Sequence, residues 1–599
     1  MVQRTIKTDL LSIGGSGAGV MAAVHAARSG LDVTLISKGK VGYSGNVIMA
    51  GGGFGIDGES GAEVLGDTFA NPSFTKAKMF DCLVKESFFI ADQNMVEQYV
   101  EESAPAMKDY LEWAEHANCK MLRYGPCNWM SSGLIFAKAL RQGVMETPGI
   151  TLLEDVTVAE ILKSGDKVTG AIAVDLYTGE LIEIQAKAVV IGTGGYQPFT
   201  MKNTVSDMTG DGQAMAYRAG AKLTDMEFLL AFPTAVYPQD MKGSIYPFVF
   251  ELFIPSLKFK MIDKNGDPLP IPDEIVNLTR GTKLSKLASC YYMGSAIDQG
   301  LGGPNGGAFY DYSHYTREEK EAGFKVFHDR FDQFHKAGHY KGESLDRVKE
   351  VIYADQPLEV GLGFEYCMGG VEINEKMETG VPGLFAAGEV TSGVFGACRA
   401  GDGLTEMLAH GMRAGLTAAE YCRDLEETPN DPAEVERVCK HLLSCFEHEG
   451  GMNAVELYDR IEQACDKGFS VIRCEEGLQE SLKELLELKE ELKNVTVQNK
   501  SRAYNFEWMR AMQAENLLIC CESGVRAALD RRESRGCHIR KDYPLVDHDH
   551  FLHKYVFSKD GENMKMETRP PVVTKMDLPT GTRENVIAYF LDKDLNYKR

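Results

Sequence analysis

The sequence predicts an α/β chain built on a doubly wound parallel sheet, interrupted by an insertion and followed by helices. Three observations carry this. An apolar strand, Asp9–Ile13, stops at Gly14 and Gly15 and passes at once into the alanine-rich run Gly17–Ala27. Two more apolar runs stop at glycines: Ala188–Ile191 at Gly192-Thr193-Gly194-Gly195, and Leu384–Ala387 at Gly388-Glu389. Residues 431–535 instead have helical apolar spacing, clearest in Leu478–Lys493, where Glu/Lys pairs separate apolar positions three and four apart.

Each element follows from its local chemistry. The Gly14–Gly19 turn joins strand to helix and sets a pyrophosphate-sized anion on the helix N-terminus, although Ser16 stands where the second glycine of G-x-G-x-x-G belongs. Gly30 and Asp32–Ile36 complete the βαβ unit. Gly42-Tyr43-Ser44-Gly45 and Ala50-Gly51-Gly52-Gly53 mark a loop where backbone approaches something closely. Residues 76–118 have helical spacing around Trp113. Residues 150–192 alternate between turns at Ser164-Gly165-Asp166 and Thr178-Gly179, which reads as a β-meander. Prolines at 255, 268, 270 and 272 and the cluster Gly300–Gly307 mark an inserted, lid-like domain. The predicted organisation is a first part of the core at 1–235, the insertion at 236–355, a second part at 356–430, a helical domain at 431–535 and a C-terminal segment at 536–599.

At 599 residues the chain exceeds what one hydrophobic core supports. Its 87 acidic against 64 basic residues give a net charge of −23, a field that argues against nucleic acid or an anionic membrane surface as partner. A local arginine cluster remains able to bind an anionic small molecule. No run of 18 apolar residues occurs, and no signal-peptide core precedes the first strand, so the expected location is cytoplasmic, with any contact to the inner membrane made through partner subunits. The 14 cysteines include no C-x-x-C pair, so no metal or iron–sulfur cluster is expected in the chain, and the thiols read as reduced packing residues.

The ordered glycine segments are joined by Thr209-Gly210-Asp211-Gly212, Asp225-Met226-Glu227-Phe228, Met368-Gly369-Gly370 and Gly396-Ala397-Cys398-Arg399. Near the C-terminus, Glu533-Ser534-Arg535-Gly536-Cys537-His538 matches an E-S-R-G-x-H pattern. Together these resemble the flavoprotein subunit of the succinate dehydrogenase/fumarate reductase family over essentially the whole chain. The resemblance implies a FAD-binding Rossmann-like domain, an inserted α+β capping domain and a C-terminal helical domain. It also implies that FAD lies against Gly14, Ser16, Gly17, Ala18 and Gly19, against Ser37 and Lys38, and against Ser44, Gly45 and Asn46. Further contacts are implied for Gly51, Gly52 and Gly53, for Thr193, Gly194 and Gly195, and for Asp211, Gly388, Glu389, Arg399, Gly403 and Leu404.

Departures from the family pattern bear on function. Gly45 stands where members with covalent flavin carry a histidine, so the FAD is expected to be non-covalent. Phe232, in Phe232-Pro233-Thr234, and Glu365, in Glu365-Tyr366-Cys367-Met368-Gly369-Gly370, occupy the places of two histidines that hold a dicarboxylate. A carboxylate there repels a substrate carboxylate at low dielectric unless it is protonated. Arg399 occupies the place of a carboxylate-gripping arginine, and Arg280 that of a proton-delivering one. Glu365 is a further acid/base candidate, with a pKa raised by burial. Cys367 and Cys398 read as packing thiols beside the pocket. The leading expectation is hydride transfer at flavin N5 to or from a C=C or CH–CH bond beside a carboxyl or thioester group. Fumarate itself is not the expected substrate. Electrons would be exchanged with a separate iron–sulfur subunit in a hetero-oligomer. The alternatives are an adenylylsulfate-reductase-like flavoprotein and an electron-transfer flavin subunit with a vestigial pocket.

Overall fold

The computed structural model describes residues 2–50, 53–119, 121–123, 128–130, 132–245, 256–275, 284–336, 343–399 and 402–592. The first strand, β1 (Arg4–Ile13), becomes buried from Leu10 onward and ends at Gly14. Helix α1 (Gly17–Arg28) follows; its alanine content suits both helix propensity and the close packing of an element buried at all but His25 and Arg28. It stops at Ser29 and Gly30, whose φ of +96° only glycine adopts freely. Strand β2 (Val33–Ser37), buried throughout, returns parallel to β1 with Leu10 opposite Val33.

Two segments far apart in the chain, 150–191 and 384–386, complete this sheet. Strand β3 (Ile150–Glu154) adds parallel to β2, while β4 (Val156–Ser164), β5 (Lys167–Asp175) and β6 (Leu181–Ile191) form an antiparallel meander whose last strand lies parallel to β1. The expected meander therefore begins one strand later, because Ile150–Glu154 extends the nucleotide-binding sheet. The N-terminal part of β6 pairs with β5, and its last residues, Val189–Ile191, pair with β9 (Leu384–Ala386), giving seven strands. The glycine ends of β1, β6 and β9 thereby converge at one edge of the sheet.

The predicted helical stretch 76–118 is two helices, Lys76–Glu86 and α2 (Gln93–His116). Between them Phe88 and Phe89 take positive φ (56° and 61°), and the Asp92 side chain caps α2 on the Asn94 amide. The insertion builds its own sheet from β7 (Leu229–Tyr237), β8 (Leu358–Cys367) and two short strands, Lys260–Ile262 and Ala308–Asp311. It has a separate core that includes Tyr310, Phe324 and Ile352. Strand β7 runs through the seam read at 235/236, while β8 begins just after the one read at 355/356, so the paired strands of one sheet lie on or beside both. Helix α3 (Leu284–Asp298) covers β7 and touches the helical domain, where a Cβ on Gly294 would meet Ile472 at 2.9 Å. The helical region comprises Pro432–Leu443, Ala454–Gly468, Glu475–Leu492 and a last long helix, Phe506–Asp530.

Helix α4 (Gly403–Cys422) lies along α1 with backbone against backbone. A Cβ on Gly411 would come 2.5 Å from the Ala18 carbonyl oxygen, and one on Gly415 2.4 Å from that of Ala22. Gly411→Ala gains about 1 kcal/mol of helix propensity but forces the helices apart, an overpacking cost of about 1–3 kcal/mol. We expect a lowered thermal midpoint and weaker FAD retention on gel filtration; a raised midpoint would show that the helices can yield there.

Candidate active site

Glycine backbones and a helix start form the cradle. At Gly14 (φ +119°) a Cβ would lie 2.2 Å from the Gly192 carbonyl oxygen, and at Gly19 it would lie 1.9 Å from that of Gly14. Ser16 precedes α1 in extended conformation without a capping bond from its side chain, and the helix's bonding begins with the Val20 amide on the Ser16 carbonyl at 3.0 Å. The first-turn amides of Gly17 and Ala18 and the positive end of the helix dipole are left for an anion.

Ser37 is buried at the end of β2. Lys38 pairs with Asp211 at 3.0 Å, and the other oxygen of Asp211 accepts hydrogen bonds from Thr209 at 2.8 Å and Asn516 at 2.9 Å. Asp211 thus ties Lys38 to the helix Phe506–Asp530, with both oxygens committed to protein donors. Thr193 Oγ1 is buried without a hydrogen-bond partner. Gly194 has φ +79°, and a Cβ on Gly195 would lie 2.7 Å from Glu389 Oε1. Gly388, at φ +75°, packs on Ala18, so the turn after β9 abuts the start of α1. Glu389 accepts the Cys367 amide at 3.1 Å; burial pushes its carboxyl up to about 7, against the pull of that amide and of Arg399.

Ser44 donates to the Lys40 carbonyl at 2.7 Å, and Asn46 accepts the Val205 amide at 3.4 Å. Gly45 has φ +79°, with open space where a Cβ would be. Gly53 faces Asp402, Gly403 lies against the Tyr366 ring and Leu404 is buried. Gly51, Gly52 and Arg280 lie outside the described residues. The uncapped helix start, the orphaned Thr193 hydroxyl and backbones that admit no side chain fit a dinucleotide such as FAD.

Charged side chains converge beside this cradle, under the insertion. The pairing of β7 with β8 shifts register between Leu230, opposite Tyr366, and Ala231, opposite Phe364, which leaves Glu365 as the extra residue of a β-bulge. Its carboxylate receives Lys286 of α3 at 2.8 and 3.1 Å and Arg399 at 3.1 Å. The Lys286 ammonium lies 4.1 Å from the Phe232 ring centroid, and the Arg399 guanidinium 4.3 Å from that of Tyr366. Tyr366 in turn donates to Glu406 of α4. Burial opposes charge on Arg399, but Glu365 and its other anionic neighbours outweigh it and raise its pKa. Glu406 is 2% exposed, and burial pushes its carboxyl up to about 8. The loop carrying Arg399 is fixed from the C-terminal segment: the Cys537 amide donates to the Ala397 carbonyl at 2.9 Å, and Arg535, held by Glu533 at 2.7 Å, reaches the Phe88 carbonyl at 3.0 Å.

The FAD binding domain family matches residues 9–404, and the fumarate reductase flavoprotein C-terminal family matches residues 458–585. The chain belongs to the succinate dehydrogenase/fumarate reductase flavoprotein family. The flavoprotein is an FAD-dependent oxidoreductase. It is 29% identical over 563 residues to an uncharacterised FAD-dependent oxidoreductase of Methanocaldococcus jannaschii, covering 90% of this chain and 94% of that one. It is 26% identical over 604 residues to the fumarate reductase flavoprotein subunit of Haemophilus influenzae, covering 96% and 95%. The solved Mycobacterium smegmatis Sdh1 in complex with UQ1 has a TM-score of 0.80 at 26% identity, covering 96% of each chain.

Of the expected catalytic residues, Arg399 and Glu365 meet in the flavoprotein, joined by Lys286, Tyr366 and Glu406, which sequence reasoning did not select. Tyr366 and Glu406 stand inside or next to quoted motifs and could have been marked by position. Lys286 lies in a helix of the insertion with no motif around it, and only the packing of α3 on β7 brings it to Glu365. In the fold Glu365 lies between two cations, Lys286 and Arg399, and takes up donors of both that would otherwise face an incoming anion.

Glu406 holds its proton more tightly folded than unfolded. The stability this contributes is complete below about pH 4.5 and lost as pH rises through about 8. Glu406→Gln cannot ionise, so its unfolding free energy is expected to fall less than the wild type's between pH 5 and 8. The difference is a few kcal/mol at most, each unit of displacement being worth about 1.4 kcal/mol. Parallel denaturant titrations across that range measure it, and coincident pH slopes would contradict the assignment.

Proposed function

We propose that the flavoprotein holds FAD non-covalently and carries out hydride transfer between the cofactor and a C=C or CH–CH bond beside a carboxyl or thioester group. Electrons are exchanged with an iron–sulfur partner subunit, and fumarate is not the substrate. The observation that carries this reading is the buried Arg399, stacked on Tyr366 and paired with Glu365 at the join of cradle and insertion, with an Nε that has no hydrogen-bond partner. FAD, when bound along the glycine cradle, supplies the two-electron chemistry of its N5 position.

The protein's own groups do the rest. Arg399 binds and polarises the carbonyl or carboxyl group that activates the double bond. Tyr366 and Glu406 support Arg399 from beneath, and Glu365 fixes its orientation. Phe232 supplies an apolar wall that favours an alkyl or aryl enoate or thioester over a small dicarboxylate. Arg280 delivers the proton to the carbon that does not receive hydride.

Gly45 supports the non-covalent assignment, since it offers no nucleophile to the flavin. The partner reading is supported by the match of residues 458–585 to the fumarate reductase flavoprotein C-terminal family. The described cysteines are free thiols, in keeping with a reducing cytoplasmic compartment.

Three outcomes are expected. Acid precipitation should leave the flavin in the supernatant; flavin retained on the polypeptide would contradict the non-covalent assignment. Under anaerobic conditions, flavin reduced by dithionite should be reoxidised faster by enoates or enoyl thioesters than by fumarate. Arg399→Lys, which keeps charge and loses the planar fork, should lower kcat/KM by about a hundredfold. Unchanged turnover in that variant would favour a pure electron-transfer role.

A further inference from the structure

Three charged groups, Lys286, Glu365 and Arg399, lie together against the cradle wall, the two cations buried and the Glu365 side chain 24% exposed between them. Lys286 is 9% and Arg399 8% exposed, and a single carboxylate bridges them. A buried ion cluster of this kind is usually no more stabilising than apolar side chains of the same volume, so stability alone does not account for it. Its setting is also specific. The bulge in β8 turns Glu365 out of the ladder, α3 carries Lys286 onto the Phe232 ring, and the C-terminal segment pins the loop of Arg399. Two cations from different parts of the chain are thus aimed at one point, as they would be to grip an anion from both sides. The point is occupied by the chain's own carboxylate. Cys290, one turn along α3, adds no charge there, since burial raises its thiol far from ionisation.

We propose that Glu365 is an internal occupant of a carboxylate seat built by Lys286 and Arg399, and that this occupancy makes the flavoprotein select substrates with one acyl group over dicarboxylates. The proposal rests on reading this cluster as the wall of the substrate pocket and names the substrate class of that pocket. A dicarboxylate entering it would set its second carboxylate against Glu365, a like-charge contact in a site with little water. A monocarboxylate or thioester approaches Arg399 with its one polar end and brings no second carboxylate to Glu365. Lys286 then acts as a specificity-determining positioning residue, holding Glu365 across the seat.

The test is ligand binding to the FAD-loaded flavoprotein, read as perturbation of the flavin absorbance during titration with succinate, malonate and butyrate. The wild type is expected to bind butyrate and to respond weakly or not at all to the two dicarboxylates. Glu365→Gln keeps the volume and removes the charge, so the affinity for succinate and malonate relative to that for butyrate should rise about tenfold or more. Glu365→Ala should show the same gain and serves if the glutamine variant binds FAD poorly. In Glu365→Gln/Lys286→Met the gain should disappear, because one side of the seat is lost.

An equal gain for butyrate and the dicarboxylates, or a gain that survives loss of Lys286, would overturn the seat in favour of a general change of field. No gain in either Glu365 variant would overturn it outright. Enoate turnover is a separate readout: if turnover is absent while the dicarboxylate gain appears, the proposed reaction fails and the seat stands.

Discussion

The contact on which this structure depends is the backbone-to-backbone packing of α4 on α1. Gly411 and Gly415 set one helix directly on the carbonyl groups of Ala18 and Ala22 of the other. The two helices belong to opposite ends of a domain that the insertion divides. Because packed interiors tolerate little slack, this approach also fixes where the chain just before α4 runs. Gly388 is thereby placed on Ala18, Glu389 against Gly195, and Arg399 beside the cradle. A cofactor lying along the start of α1 would meet groups from residues 14 to 404 only because these helices touch.

Around that contact the molecule uses buried charge to specify position. The seam between insertion and cradle carries Lys286, Glu365 and Arg399; the seam with the helical domain carries Lys38, Asp211 and Asn516. The C-terminal segment adds Arg531, Arg535 and Glu533, all fully buried. Such networks add little net stability, but each penalises any arrangement that leaves a charge unpaired. That penalty is a physical means of holding domains in register around a site that must be preorganised. The E-S-R-G segment illustrates this, since its arginine and its Cys537 amide hold the loops of Phe88 and Arg399.

Much of the fold was legible in the sequence because it rests on local periodicity and on glycines with a steric reason. The strands ending at Gly14, Gly192 and Gly388 and the helix at Glu475–Leu492 stand where apolar pattern and turn chemistry put them. The errors have equally local causes. Ile150–Glu154 joins β2 because strand partners are chosen by tertiary packing, not by the turn that follows. The helical spacing of 76–118 is carried by two helices, parted at Phe88 and Phe89, where both rings are buried and Arg535 holds the Phe88 carbonyl. The seams at 235/236 and 355/356 fall inside or beside paired strands of one sheet, which compositional shifts do not reveal.

What the sequence by itself determined is the class of chemistry: glycine-terminated strands that open onto a helix bind a dinucleotide, and the ordered motifs make it FAD. It also marked Arg399 and Glu365 as candidates for one site. What only the tertiary structure decided is their electrostatic state and company. Glu365 faces the site because β8 bulges there, and it is matched by Lys286, which no motif announces. Its charge is balanced through contacts between residues separated by long stretches of chain. Periodicity reports which face of an element is buried, whereas the sign and distance of the charges meeting it depend on how separate elements cross.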